Sequence, residues 1–208
     1  MLSMDDIRAL LADLESRRPT HAGILLFGKN PRFFLPGAYV QYLKLPGGDL
    51  TEVPEDQAEI SGDLLTVARE LEARVRLLNI TALRTMDGFM EKPVHDYPEM
   101  ALRELLMNAL MHRSYESNTP IRFYAFRDHV EIVSPGGLYG EATPENFPNR
   151  NSYRNPVVAE AMKNLGLVNR FGYGILRAQD LLQKNGNPQA QFTLEPHSVL
   201  AQVFRRPA

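Results

Sequence analysis

The chain has 208 residues, 44% hydrophobic and 23% charged, enough for one well-buried domain or one domain with a small lobe. It contains no cysteine, which excludes disulfides, thiolate metal sites and cysteine nucleophiles, and its formal net charge of -2 excludes a global basic field for nucleic acid. No apolar run approaches the roughly 18 residues needed to span a membrane. Asp5 and Asp6 stand where a signal peptide would carry Lys or Arg, so the expected location is cytoplasmic.

Taken in order, Met4 to Leu14 reads as a short helix with Ser3 as its cap. Ala22 to Phe27, an apolar run closed by Gly28, reads as a strand. Ala38 to Leu45 alternates and reads as a second strand before Pro46-Gly47-Gly48. Asp49 to Glu59 is acidic and turn-rich, and is expected to be a surface loop. Ser61 to Leu78 carries a helical stripe through Leu64, Val67, Leu71, Val75 and Leu78. Thr85 to Val94 is a strand or an irregular connector. A helix starts near Pro98, with Met100, Leu102, Leu105, Leu106, Ala109 and Leu110 at helical intervals, and Pro120–Phe126 and His129–Val133 are strands meeting at Arg127-Asp128. Leu138 to Arg154 is a long irregular loop, of a length that is usually functional or mobile. Asn155 and Pro156 open a helix as cap and first residue, ended by Gly166. A Gly-rich turn enters a further helix ending at Asn185, and Gln191–Leu194 and Val199–Phe204 close the chain as a strand pair. Strands in antiparallel-like pairs, interspersed with helices, predict an α+β two-layer sandwich with a mixed, mostly antiparallel sheet. The expected division is an N-terminal helix-and-strand lobe, 1–59, and a main domain, 60–208.

The central helix carries the chemistry. Glu104, Asn108 and His112 recur at four-residue intervals, so a carboxylate, an amide and an imidazole share one face of an otherwise apolar helix. Two glycine turns accompany it: Pro135-Gly136-Gly137 straight after a strand, and Gly172-Tyr173-Gly174 straight before a helix. Glycine before a helix lets backbone N–H groups approach a phosphate, and the helix N-terminus favours the anion. An Asn amide oxygen suits a divalent cation bridging phosphates, and a Glu one turn earlier suits activation of a water. The plainer alternatives are a surface Glu, an Asn satisfied by backbone, two tight turns, and a His whose cation complements the helix C-terminus.

Glu104-x-x-x-Asn108-Ala109, followed by His112, resembles the N-box helix of the GHKL (Bergerat-fold) ATPases, which include gyrase, histidine kinases and MutL. Ser134-Pro135-Gly136-Gly137 resembles their first glycine box, Leu138 to Arg154 their ATP lid, and Phe171-Gly172-Tyr173-Gly174-Ile175 their second glycine box. Over nearly the whole chain, HAGILLFGKNPRFF, ALRELLMNALMHRSY, VEIVSPGGL and RNPVVAEAMKNLGLVNRFGYGI are similar to bacterial proteins named as transcriptional regulators or RecG-related ATP-dependent DNA helicases. These usually join a Schlafen/AlbA-type domain to a GHKL-like one, so lobe 1–59 would lead from such an upstream domain. The resemblance implies ATP and Mg2+ as cofactors. It gives Asn108 the metal, Glu104 the role of general base, and Ser134, Gly136, Gly137, Gly172 and Gly174 the nucleotide, together with Asn108. The family's adenine-reading Asp corresponds here to Ser134, a neutral acceptor roughly half as strong, and Asp128 or Glu131 are the acids near enough to substitute. No Walker A sequence is present, so helicase activity is not expected. The implied function is an ATP-binding regulatory domain with weak or no hydrolysis. Its partners would be a nucleotide, a second copy in a homodimer, and DNA only through another domain. The alternative is a degenerate GHKL-like fold serving as a dimerisation or DNA-associated module.

Overall fold

The computed structural model describes residues 19–79, 83–87, 90–150, 152–168 and 173–207. The expected helix Met4–Leu14, and Phe171 and Gly172 of the second glycine turn, lie outside the described residues. The element order is α1 (His21–Phe27), β1 (Tyr39–Lys44), β2 (Asp56–Ser61), α2 (Leu64–Leu78), β3 (Leu83–Asp87), β4 (Met90–Val94), α3 (Glu99–His112), β5 (Ile121–Ala125), β6 (His129–Pro135), α4 (Pro156–Asn164), α5 (Gly174–Asn185), β7 (Gln191–Leu194) and β8 (Ser198–Phe204). Six strands form one sheet in the order β2-β1-β5-β6-β8-β7, and β3 and β4 form a separate hairpin. All neighbours are antiparallel except β1 and β5, which run parallel. The expected α+β two-layer sandwich is the observed architecture, with β1 and β2 continuous with the sheet of the main domain. The boundary expected between residues 59 and 60 falls inside β2.

Strand alternation decides which sheet face meets the helices. In register across the sheet, Tyr42, Phe123, Ile132 and Ala201 all point to the buried face. The rings of Tyr42 and Phe123 lie 5.2 Å apart, and burial pushes the Tyr42 phenol up to about 12. The opposite face carries polar pairs, such as Gln202 Nε2 donating to Glu131 Oε1 at 2.9 Å and Tyr124 Oη donating to Gln41 Oε1 at 2.8 Å.

Helix α3 packs against β6 and against α2, α4 and α5. That is why it is apolar on nearly every side: Leu102, Leu105, Leu106, Met107, Leu110 and Met111 are all buried. Asp63 caps α2 by accepting from the N–H groups of Leu65 and Thr66, each at 3.0 Å.

Two elements differ from the sequence reading. Ala22–Phe27 is helical, not a strand: Thr20 Oγ1 accepts from Gly23 N at 2.9 Å and starts a turn that buries Ile24 and Leu25. A short apolar run fits either state, and the cap tips it. The acidic stretch expected as a loop ends in strand β2, whose Gln57, Glu59 and Ser61 face solvent while Ile60 is buried. Charge is tolerated there because β2 is an edge strand.

Candidate functional site: a cavity between the central helix and the sheet

The site begins with α3. Its Asn108 amide nitrogen donates to the carbonyl of Glu104 at 2.7 Å, which leaves Oδ1 unconstrained by that bond. Glu104 itself is only 2% exposed. Its Oε1 accepts from Arg177 Nη1 of α5 at 3.2 Å. The two helices approach this closely because α5 starts with Gly174: a Cβ there would lie 2.8 Å from Asn108 Nδ2 and 3.0 Å from Glu104 Oε2. The polar stripe and the second glycine turn are therefore in direct contact.

Beside this junction lies a cavity of ≈ 770 Å³, counted with its open mouth. Its helical wall is Leu105, Asn108, Ala109 and His112 of α3 with Ile175 of α5. The sheet supplies Ile132, Ser134, Phe192, Val199 and Ala201. Gly136, Gly137 and the lid residues Leu138, Tyr139, Ala142, Phe147, Arg150 and Ser152 form the rim. Of the residues singled out in the sequence, the structure brings Asn108, Ser134, Gly136 and Gly137 to this cavity. Gly174 and Glu104 lie behind Asn108 at the helix junction.

Ser134 is buried at the end of β6 and donates its hydroxyl to the Ala109 carbonyl at 3.2 Å. A hydroxyl has one proton and two lone pairs, so it retains acceptor capacity towards the cavity. Neither acid considered as a substitute reaches this point. Glu131 is paired with Gln202 on the far sheet face, and Asp128 turns to His129 Nδ1 at 2.8 Å.

The two rim glycines answer local backbone demands. Gly136 has φ +98° and packs on Ser114. A Cβ on Gly137 would lie 2.5 Å from the Pro196 carbonyl oxygen and 2.6 Å from that of Glu195, in the β7–β8 turn.

The lid is a self-bonded loop. Asn146 Nδ2 donates to the Glu141 carbonyl at 2.9 Å, and the Glu141 N–H donates to Ser152 Oγ at 3.1 Å. Arg154 closes its end: Nη2 donates to the Gly137 carbonyl at 3.0 Å and the guanidinium lies 4.7 Å from the centre of the Tyr139 ring.

Several contributors were not read from the sequence, or were read differently. His112 is not a helix-end cation. It stacks on Tyr153 at 5.6 Å, and burial, with Arg154 nearby, lowers its pKa to about 4, so it is neutral at physiological pH. Asn155 holds the N-cap position of α4 as expected, but its side chain does not cap that helix; its amide donates to the Met111 and Arg113 carbonyls at 3.0 and 2.8 Å, closing the end of α3. Arg113 is buried and donates to the backbone carbonyls of Gly37, Ser117 and Thr119, so it serves the turn after α3. Arg177 had no signal beyond its position three residues after Gly174.

Among the described residues no cluster of three or more His, Cys, Asp or Glu could hold a metal ion, and no helix is long and apolar enough to cross a membrane. The residues present suit a cation that arrives with phosphate oxygens and water and takes one protein oxygen, which is the habit of Mg2+.

Fold and site together define an α+β domain with an open cavity between its central helix and its sheet. Residues 118–203 match the family described as "Putative ATP-dependent DNA helicase recG C-terminal", an ATPase-like (HATPase) family. That bears out the resemblance read from the sequence over β5 to β8; Glu104 and Asn108 precede the matched segment. The crystal structure of the DIP2311 protein from Corynebacterium diphtheriae is similar in fold, with a TM-score of 0.79 at 24% identity, covering 99% of this chain. This chain spans 42% of that one, less than half its length. No curated protein matches the chain.

Proposed function

We propose that the domain binds ATP with Mg2+ in the cavity beside Asn108 and acts as a regulatory module, with slow or no hydrolysis. The observation that carries this is the convergence of Asn108, Ser134, Gly136 and Gly137 on one cavity between the central helix, the sheet and the lid. Ser134 would accept from the exocyclic amino group of adenine, the apolar sheet residues would hold the ring, and Asn108 Oδ1 would meet the magnesium. The first turn of α5, which reaches the cavity at Ile175, would turn its N-terminal end towards the phosphates. Bound Mg2+ would neutralise phosphate charge.

Weak hydrolysis follows from Glu104. Its carboxylate is held by Arg177 and is absent from the cavity wall, so it would serve as a base only if that pair opened. The output is then conformational, with lid ordering read by a neighbouring domain or by a second copy in a homodimer, and any DNA contact made through another domain. The role in transcriptional regulation rests on the resemblance alone.

A crystal structure with a nonhydrolysable ATP analogue tests the proposal. The expected result is the base against Ser134 and the phosphates beside Asn108, towards Gly136, Gly137 and the lid. An analogue-free cavity at saturating concentration would overturn it. The second reading, a ligand-free interaction module, draws on the exposed Phe33 and Phe34, whose rings lie 5.1 Å apart next to Arg32, which donates to Glu59 of the edge strand β2.

A further inference from the structure

We propose that Arg150 is the lid's phosphate-binding residue and that Glu141 is its built-in competitor, so that a polyphosphate, and not a nucleoside alone, draws the lid onto the cavity. This rests on the nucleotide reading of the cavity and names what that site selects.

Arg150 is the one Lys or Arg among the described residues lining the cavity, and no Asp or Glu lines it. Of the neighbouring groups, His112 is neutral, and Arg154 lies behind Gly136 with Nη2 on the Gly137 carbonyl, outside the lining. Direct contact between an anion in this space and a cationic side chain therefore falls first to Arg150.

In the free protein Arg150 is already paired. Its Nε and Nη2 donate to Glu141 Oε2 at 2.9 and 2.5 Å. The carboxylate is held in position by its backbone, because the Glu141 N–H is bonded to Ser152 and its carbonyl to Asn146. Arg150 is tied to the same asparagine, its N–H donating to the Asn146 carbonyl at 3.2 Å. The latch is internal to the lid, so exchanging partners breaks no contact between lid and body.

The exchange is also energetically easy. The side chains of Arg150 and Glu141 are 61% and 69% exposed, and exposed pairs of this kind are weak and screened by salt. A phosphate carries more opposing charge and offers separate oxygens for two parallel bonds, where Glu141 offers one oxygen to both donors. A ligand with several phosphates competes well against Glu141, and an uncharged nucleoside does not compete at all.

The test is calorimetric titration of Mg-ATP and of adenosine, at low salt, into the wild type, Arg150→Ala, Arg150→Lys and Glu141→Gln. Arg150→Ala should weaken ATP about 10-fold or more and leave adenosine within about 2-fold. Arg150→Lys should recover part of the loss, and Glu141→Gln should tighten ATP about 2- to 5-fold. Equal weakening of both ligands, or no change in either, would overturn the role of Arg150 while leaving the nucleotide site standing. Equal affinity of the wild type for ATP and adenosine would do the same. Absence of binding by both ligands in the wild type would remove the nucleotide reading itself, and this inference with it.

Discussion

Replacing Arg177 by Ala leaves the Glu104 carboxylate, 2% exposed, without its partner. At the observed separation of 3.2 Å, an effective dielectric of about 20 gives a gross attraction of ~5 kcal/mol. Breaking a buried pair by removing one partner typically costs about 3–5 kcal/mol. The Arg177 side chain is 46% exposed, so water screens the pair and fills part of the gap, and the expected loss falls to about 2 kcal/mol. With a urea slope of about 2 kcal/mol per molar, the unfolding midpoint should drop by about 1 M. The decisive assay is a double-mutant cycle in urea with Glu104→Gln. Neutralising the carboxylate first should make the loss of Arg177 nearly free, giving a coupling of about 1–2 kcal/mol. If Arg177→Ala costs the same in both backgrounds, Glu104 does not depend on Arg177, and the argument that this pair withholds the base from the cavity fails.

Three further perturbations test other parts of the structure. His112 titrates at about 4 in the fold against an ordinary 6.5. The unfolded chain therefore takes up the proton first as pH falls, and stability is lost between about pH 6.5 and 4, by on the order of 3 kcal/mol. His112→Phe, which keeps the stacking on Tyr153, should flatten that part of the wild-type pH–stability curve; an unchanged slope would show that His112 is not its source. Gly137→Ala drives a Cβ against two backbone carbonyls of the β7–β8 turn and should cost about 1–3 kcal/mol in thermal or urea unfolding. Gly48→Ala, where a Cβ meets nothing within 4 Å, should be neutral or stabilising by a few tenths of a kcal/mol, so an equal loss at both positions would contradict the packing account.

The long elements were legible because their signals agree with one another. α2 has its stripe and its Asp63 cap, and β6 alternates between buried and half-buried positions from His129 to Ser134. Short elements were legible only where a cap or an edge position could be weighed. α1 looked like a strand because six apolar residues carry no periodicity, while the Thr20 hydroxyl that starts the helix is a single-residue signal. Strand β2 looked like a loop because edge strands carry the charge that loops carry.

At the site, spacing along α3 correctly put Glu104, Asn108 and His112 on one face. It could not show that the face divides, with Asn108 and His112 on the cavity and Glu104 turned to Arg177. That division depends on the approach of α5 through Gly174, a contact between residues some seventy positions apart. The Asn155 side-chain bonds to the end of α3 span 44 and 42 positions, whereas local sequence chemistry pointed that side chain to α4. The neutral state of His112 is likewise a product of tertiary burial, against the expectation from its place at a helix end.

The central claim is that the cavity beside Asn108 holds Mg-ATP, and isothermal titration of Mg-ATP into the wild type and Asn108→Ala tests it most directly. The account predicts a saturable heat with one site per chain in the wild type and a loss of affinity of about 10-fold or more in the variant. Undetectable binding in both proteins, or equal binding in both, would contradict it.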